Sequence, residues 1–342
     1  MDQTDTNVKF RNRQIKAVGL ISGGLDSTLA AKIVKDLGVE VQGVYFSMPW
    51  GCCDKVKAQS AARRIGIPFI VLQLDERYLH VVKNPKYGYG SALNPCVDCR
   101  IHMFFRAAQY MKSIGADFIF TGEVLGQRPM SQMRHSMGWI EKDSGLEGRL
   151  LRPLCAQYLE PTIPEQEGLI DRNKLLKITG RSRKEQIDLA AQFEITDYPA
   201  PAGGCLLTDE NFAHRMKDTL KFGYRDFRET IALKWGRHFR IHEDFKMILG
   251  RDEAENASLI SYAHVDDYIL QLPDDAGPTL ILKGYNPTED VLAVAAGLIQ
   301  SFSRYKNQPP QRIHCWPVKD KNEMRAVTAK ILNTKEIEGM RV

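Results

Sequence analysis

The sequence predicts an α/β protein, a doubly wound parallel sheet followed by a second, smaller α+β domain. Three observations carry this. The chain has 342 residues, and at roughly 100 to 200 residues per domain that points to two domains. Over the first 200 or so residues, short β-branched runs alternate with longer amphipathic ones, the pattern of a parallel sheet covered by helices. After Cys205 that alternation gives way to a basic, aromatic-rich stretch and then to a different set of apolar runs.

The buried strands are expected at Lys16 to Ile21, Val39 to Phe46, Phe69 to Leu74 and Asp117 to Thr121. Helices fill the gaps. Asp26 to Leu37 stops at Gly38, Asp54 to Ile65 at Gly66 and Arg100 to Ile114 at Gly115, each a natural C-cap. Lys184 to Phe193 is a fourth amphipathic helix. Helical crossovers make the sheet doubly wound, so its ligand belongs at the carboxyl ends of the strands. Asp209 is an N-cap for the next helix, which divides the chain into domains 1–208 and 209–342. In the second domain, the segment after Asp209 reads as two helices, Phe239 to Leu249, Tyr268 to Leu272 and Thr279 to Leu282 as strand-like, and Val291 to Phe302 as helical. Met1 to Arg13 reads as a frayed tail.

With 43% hydrophobic and 26% charged residues the composition is that of a globular protein. No apolar run nears the roughly 18 residues of a membrane span, the longest being Val291 to Ile299, and the polar first fifteen residues argue against secretion. A cytoplasmic protein without a membrane partner is expected. Seven cysteines, Cys52, Cys53, Cys96, Cys99, Cys155, Cys205 and Cys315, are then better suited to metal or thiol chemistry than to a disulfide framework. The net charge of +5 names no ligand. Between Asn211 and Arg240, however, eight bases face three acids and are interleaved with Phe212, Phe222, Tyr224, Phe227, Trp235 and Phe239. That mixture suits phosphate contact with base stacking. An amphipathic helical pair with core aromatics and solvated bases would look the same.

Ser22-Gly23-Gly24-Leu25-Asp26-Ser27 follows an apolar strand and opens a helix. Adjacent glycines let backbone N–H groups turn inward as an anion nest, the helix dipole adds to it, and Ser22 and Ser27 supply hydroxyls. A carboxylate beside phosphate is repulsive unless a cation lies between, which assigns Asp26 to Mg²⁺. The motif resembles the PP-loop of the N-type ATP pyrophosphatases, the adenine nucleotide alpha hydrolase-like fold. That resemblance implies ATP cleaved between the α and β phosphates, and the absence of Gly-Lys-Ser/Thr disfavours γ-phosphoryl transfer. It implies nucleotide contacts at Ser22, Gly23, Gly24, Asp26, Ser27, Tyr45, Phe46, Gly122 and Gln127.

Thr121-Gly122-Glu123-Val124-Leu125-Gly126-Gln127, continuing to Ser131-Gln132, is similar to the Thr-Gly-Glu-x-x-Gly-Gln signature of tRNA 4-thiouridine synthetases. Leu151-Arg152-Pro153-Leu154 and Lys184-Glu185-Gln186-Ile187 resemble later motifs of the same family, in the same order. Gly122 is expected to let the backbone approach the nucleotide, and Gln127 and Gln132 to offer neutral amides.

Asn94-Pro95-Cys96-Val97-Asp98-Cys99 places a C-x-x-C just before a helix, where the helix N-terminus favours thiolate. Cys205 follows the flexible Pro201-Ala202-Gly203-Gly204. Cys99 resembles the catalytic cysteine of tRNA 2-thiouridylases, and Cys205 their second cysteine. Cys96 departs from that pair and makes a three-cysteine set, as in iron-sulfur-dependent members of the tRNA thiolation group. Three readings stand side by side. The first is a 4Fe-4S cluster on Cys96, Cys99 and Cys205 with one iron open to sulfide. A persulfide route would use Cys99 and Cys205 alone. A structural zinc site lacks its second C-x-x-C.

His238 to Lys306 resembles the C-terminal RNA-binding domain of NFACT proteins. Together the resemblances imply an ATP-dependent tRNA sulfurtransferase, a thiouridine synthase with Asp26, Cys99 and Cys205 catalytic. They imply ATP, Mg²⁺ and a 4Fe-4S cluster as cofactors. The implied partners are tRNA and a sulfur donor, either a cysteine desulfurase or free sulfide, with a homodimer as one option for assembly. The alternatives are a PP-loop enzyme activating a small-molecule amide or acid, and a non-catalytic RNA-binding iron-sulfur protein.

Overall fold

The computed structural model describes residues 13–51, 54–200, 204–273 and 275–342. Cys52, Cys53, residues 1–12 of the expected tail and Pro201, Ala202 and Gly203 lie outside the described residues. The chain forms two compact units, Met1–Leu206 and Leu207–Val342.

The first unit runs β1 (Lys16–Leu20), α1 (Leu25–Asp36), β2 (Glu40–Ser47), α2 (Lys55–Ile65), β3 (Phe69–Gln73), α3 (Arg77–Lys83), α4 (Cys96–Ser113), β4 (Phe118–Thr121), α5 (Arg134–Asp143), β5 (Leu150–Leu151), α6 (Ile163–Gln166) and α7 (Lys184–Gln192). Its five strands are all parallel in the order β3-β2-β1-β4-β5. The central strands are apolar on both faces because helices cover both: Ala17, Val18, Phe118, Ile119 and Phe120 have no exposed surface. The chain lays β2 and β3 on one side of β1 and then returns to lay β4 and β5 on the other. The switch point between β1 and β4 opens a crevice at the carboxyl edge of the sheet. α2 shows how local sequence sets the ends: Asp54 accepts from Val56 N at 2.8 Å, and Gly66 stops the helix at φ 70°.

The helix expected at Arg100 to Ile114 begins four residues earlier, at Cys96, so the C-x-x-C forms its first turn rather than preceding it. The sequence pattern gave no sign of α3, α5 or the two-residue β5, which are too short or too polar for a clear period.

The second unit runs α8 (Glu210–Phe222), β6 (Arg237–His242), β7 (Phe245–Leu249), α9 (Glu253–Tyr262), β8 (Tyr268–Gln271), β9 (Leu280–Lys283), α10 (Glu289–Ser301), β10 (Arg312–Pro317), β11 (Arg325–Thr328) and α11 (Thr334–Met340). Six antiparallel strands pair in the order β11-β10-β8-β9-β7-β6. Period-two alternation divides their side chains. Met247, Leu249, Leu270, Leu280 and Leu282 pack with Leu292, Ala295 and Ile299 of α10, while Ile248, Ile269 and Ile281 pack with Leu259 of α9 and with Trp316. The run Phe239 to Leu249, expected as one strand, is a hairpin turned at Glu243-Asp244. The basic segment, expected as two helices, is α8 followed by two short 3-10 turns, Phe227–Thr230 and Ala232–Lys234. No helix is long and apolar enough to cross a membrane among the described residues.

Candidate active site

β1 delivers the chain to Ser22, where it turns. Gly23 stands at φ 79°, and a Cβ there would lie 2.6 Å from Ala58 N at the start of α2, so only glycine fits. Ser27 Oγ braces the loop: it donates to Gly24 O at 2.9 Å, accepts from Ser22 N at 3.2 Å and stands 3.1 Å from Ser22 Oγ. Thr28 Oγ1 also donates to Gly24 O, at 3.0 Å. Gly24, whose N–H donates to Ser22 Oγ at 3.3 Å, caps α1 with no side-chain hydrogen bond to the first helical N–H groups among the described residues. An N-terminus of this kind, at the carboxyl edge of a parallel sheet, favours negative charge at its free N–H groups.

Asp26 lies in the first turn of α1 and accepts from Gln127 Nε2 at 3.2 Å, while its other oxygen, Oδ1, is buried with no hydrogen-bond partner. Burial raises its pKa, and the charges of Arg183 and Arg128 and the Gln127 hydrogen bond oppose that rise. The Gln186 amide also approaches Asp26 and opposes that rise, while Arg183 Nε and Gln132 Oε1 are buried without hydrogen-bond partners among the described residues. Orphaned buried polar atoms are rare in a finished interior. Here the Asp26 Oδ1 carboxylate oxygen and the Nε of Arg183, just before α7, are both unmatched among the described residues. This donor set fits a polyanion with a divalent cation, the cation at Asp26 Oδ1.

Gly122, expected to let the backbone approach a nucleotide, makes a close approach within the protein. A Cβ there would collide with the backbone of Asp26 and Ser27, so the glycine lets the loop after β4 seat directly on the start of α1. Glu123, next in the chain, is 3% exposed and accepts from Arg152 Nε at 3.2 Å; Arg152 Nη1 reaches Glu141 at 2.9 Å. Two of the motifs singled out in the sequence are thus joined by a buried ion pair, and the third supplies Gln186. Tyr45 and Phe46 are buried in β2, with the Tyr45 ring 6.3 Å from that of Phe69. Their side chains serve the core.

The thiols gather around a residue that no motif marked. Tyr78, on α3 and 1% exposed, donates its hydroxyl to Cys99 Sγ at 3.1 Å. Burial and then the charges of Cys99, Cys205 and Cys96 hold its pKa well above the phenol range, so all three thiols bear on one hydroxyl. Trp50, fully buried, stacks on Tyr78 with centroids 5.9 Å apart, and its carbonyl accepts from Cys205 Sγ at 3.4 Å and Leu206 N at 3.1 Å. Asp98, between the two cysteines of the first turn of α4, accepts from the backbone N of Lys86 at 2.8 Å and of Tyr87 at 3.1 Å. Burial lowers the pKa of His102, one turn after Cys99, whose ring centroid lies 5.7 Å from that of Tyr78 and whose Nε2 has no hydrogen-bond partner.

Among the described residues, no three His, Cys, Asp or Glu side chains stand in an arrangement that ligates a metal ion. The thiols converge without forming a ligand set, so no step is derived through a metal there. Cys155 and Cys315 are buried, which pushes both thiols up to about 11 and makes them inert.

In the second unit the basic segment is partly structural. Arg225 pairs with Glu229 and with Asp267, which has no exposed surface, and Arg240 makes a two-pronged pair with Asp218 at 2.7 and 2.9 Å. Phe212 and Phe239 are core residues, and Trp235 packs on Tyr262. Lys217, Lys221 and Arg228 remain exposed.

Residues 15–137 match the family described as tRNA methyl transferase HUP domain, and residues 236–340 that described as NFACT protein RNA binding domain. The tRNA-specific 2-thiouridylase MnmA of Staphylococcus haemolyticus is 27% identical over 246 residues, covering 66% of this chain and 62% of that protein. The enzyme of the same name from Clostridioides difficile is 33% identical over 257 residues, covering 67% of this chain and 65% of that protein. The chain therefore spans somewhat under two thirds of the length of these relatives. Among solved structures, a 4-thiouridine synthetase in complex with RNA and bound ATP is 21% identical over 53% of this chain and 51% of that chain, with a TM-score of 0.34. That likeness adds no argument of its own.

Proposed function

From the premise that this chain joins a PP-loop HUP domain of the tRNA-thiolation group to an NFACT-type RNA-binding domain, we propose that it is an ATP-dependent tRNA sulfurtransferase. One observation carries the reading. The phosphate loop after β1, the Gln127 loop after β4, Trp50 after β2, Tyr78 after β3 and the Cys96–Cys99 turn opening α4 all stand at the carboxyl edge of one parallel sheet. Activation and sulfur chemistry share that edge.

In this reading the α1 N-terminus, Ser22 and Ser27 hold the ATP phosphates, and Asp26 holds Mg²⁺, which supplies charge neutralisation at the α-phosphate when bound. A uridine carbonyl oxygen attacks that phosphorus and pyrophosphate leaves. The carbon is now bonded to a good leaving group. A sulfane-sulfur donor, such as the persulfide of a cysteine desulfurase, first passes its outer sulfur to Cys99 or Cys205; the outer sulfur of the resulting persulfide attacks the carbon, and AMP departs with the oxygen. The other thiolate then attacks the carrier sulfur, releases the thiocarbonyl and closes a Cys99–Cys205 disulfide, which an external thiol reduces. Tyr78 donates to Cys99 Sγ and so stabilises negative charge on that sulfur when it attacks or leaves as a thiolate.

Cys96 supports a second reading, since all three thiols act on Tyr78. Cys96, Cys99 and Cys205 would hold a 4Fe-4S cluster, which would supply an iron open to sulfide, only in an arrangement other than the one described, where they form no ligand set. Iron and acid-labile sulfide in anaerobically prepared active protein separate the two routes. The activity itself is tested by product analysis with tRNA present. AMP and pyrophosphate support it, and ADP contradicts it.

A further inference from the structure

We infer that an aromatic ladder on the first unit, half-buried Tyr87 with exposed Trp139 and His135, is a stacking platform for an unpaired base of the RNA substrate. The inference rests on the proposed action on RNA and says where the first unit grips it. Trp139 lies on α5 and is 42% exposed, whereas Trp50 is fully buried and Trp316 is 8% exposed. Its indole is stacked with Tyr87, centroids 4.9 Å apart and planes 18° apart, and meets the edge of His135 at 4.8 Å and 64°. The Lys86 ammonium lies 5.1 Å from the Tyr87 centroid and continues the ladder with a cation.

The ladder is held rigid. Asp143, at the end of α5, accepts from both Lys86 Nζ at 2.5 Å and the Tyr87 hydroxyl at 3.0 Å. Asp98 pins the Lys86 and Tyr87 backbone from the first turn of α4, between Cys96 and Cys99. The platform is therefore tied directly to the thiol site. A preorganised aromatic stack loses little side-chain entropy on binding. An apolar partner would want the flanks uncharged, but Lys86, Arg134 and Lys142 are exposed beside the ladder. Aromatic faces interleaved with cations match a nucleotide, whose base has a π face and whose phosphate is anionic. Because every base presents such a face, the platform selects an unpaired base rather than a particular one.

The test uses the full chain and bulk tRNA as probe, with binding titrated at several salt concentrations and tryptophan emission recorded. Trp139→Ala should weaken binding on the order of ten- to a hundredfold while leaving the salt slope unchanged, since no phosphate contact is lost. Trp139→Phe should retain most of the affinity but lose the emission quenching that tRNA causes in the wild type. Lys86→Gln should flatten the slope instead. Wild-type affinity and quenching in a folded Trp139→Ala protein would overturn the platform and return the ladder to packing or to a protein partner. Wild-type protein that binds no tRNA at all would overturn the RNA reading as well, and so is distinguishable from failure of the platform alone.

Discussion

Tyr78 donates its hydroxyl to Cys99 Sγ at 3.1 Å from a position that is 1% exposed, within reach of the charges of Cys96 and Cys205. A buried donor aimed at a thiolate is worth about 1.5 to 3 kcal/mol. Tyr78→Phe keeps the ring stacked on Trp50 and removes only that donor. Sulfur transfer should slow by about ten- to a hundredfold, while RNA-dependent pyrophosphate release, which needs only the phosphate loop, stays unchanged. Equal loss of both would assign Tyr78 to structure.

Asp26 trades stability for function. Burial raises its pKa, so the folded state holds the proton more tightly than the unfolded chain, and the fold loses stability as pH rises through the two values. Asp26→Asn removes that cost. The variant should melt above the wild type at neutral pH, with the difference shrinking as pH falls into the ordinary carboxylate range, and should form no AMP. In the wild type, Mg²⁺ with ATP should raise the melting temperature, and this rise should disappear in the variant. A variant that melts lower at neutral pH would show that the carboxylate is matched within the fold.

Arg152 and Glu123 are both 3% exposed, which makes their pair costly to split. Arg152→Met should destabilise the first unit by about 3 to 5 kcal/mol, because Glu123 is left charged in the interior. Glu123→Gln combined with Arg152→Met should recover much of that loss in denaturant titration. Additive losses would mean that the pair contributes only packing.

The basic segment divides into two roles that composition could not separate. Lys217, Lys221 and Arg228 are exposed, and changing all three to Gln should lower the slope of log K against log salt for tRNA by about 0.7 to 0.9 per lost contact. Arg225→Ala should instead act on the fold, since buried Asp267 loses its guanidinium and is left with Lys283 at 3.3 Å and the His264 backbone N–H at 2.9 Å. A thermal shift for Arg225→Ala with an unchanged salt slope is the expected signature.

The strands of the first unit were legible because Ala17, Val18 and Phe118 to Phe120 are buried on both faces, which leaves unbroken apolar runs. Their connecting glycines and caps were legible for the same local reasons. The phosphate loop was visible because two serines and an acid beside two glycines exceed what a turn requires. Tyr78 was not visible. It sits in the seven-residue α3, and its role comes from a side chain 21 residues away. Composition could not separate Arg225 from the other bases of its segment, because its buried partner Asp267 lies 42 residues away. That the missing Cβ of Gly122 makes room for the backbone of Asp26 and Ser27 in α1 was not legible, because that contact joins residues far apart in the chain.

The central claim is that activation at the phosphate loop and sulfur delivery from the thiols meet at one uridine carbon. The most direct measurement is mass spectrometry of nucleosides from tRNA incubated with the protein, ATP, Mg²⁺, a reductant and a sulfur donor, alongside the Cys99→Ala and Cys205→Ala proteins. The wild type should yield a thiouridine in which one oxygen is replaced by sulfur. Both variants should still release AMP and pyrophosphate yet yield no thiouridine. Pyrophosphate release by the wild type with no thionucleoside under any donor, or a small-molecule product in its place, would contradict the account.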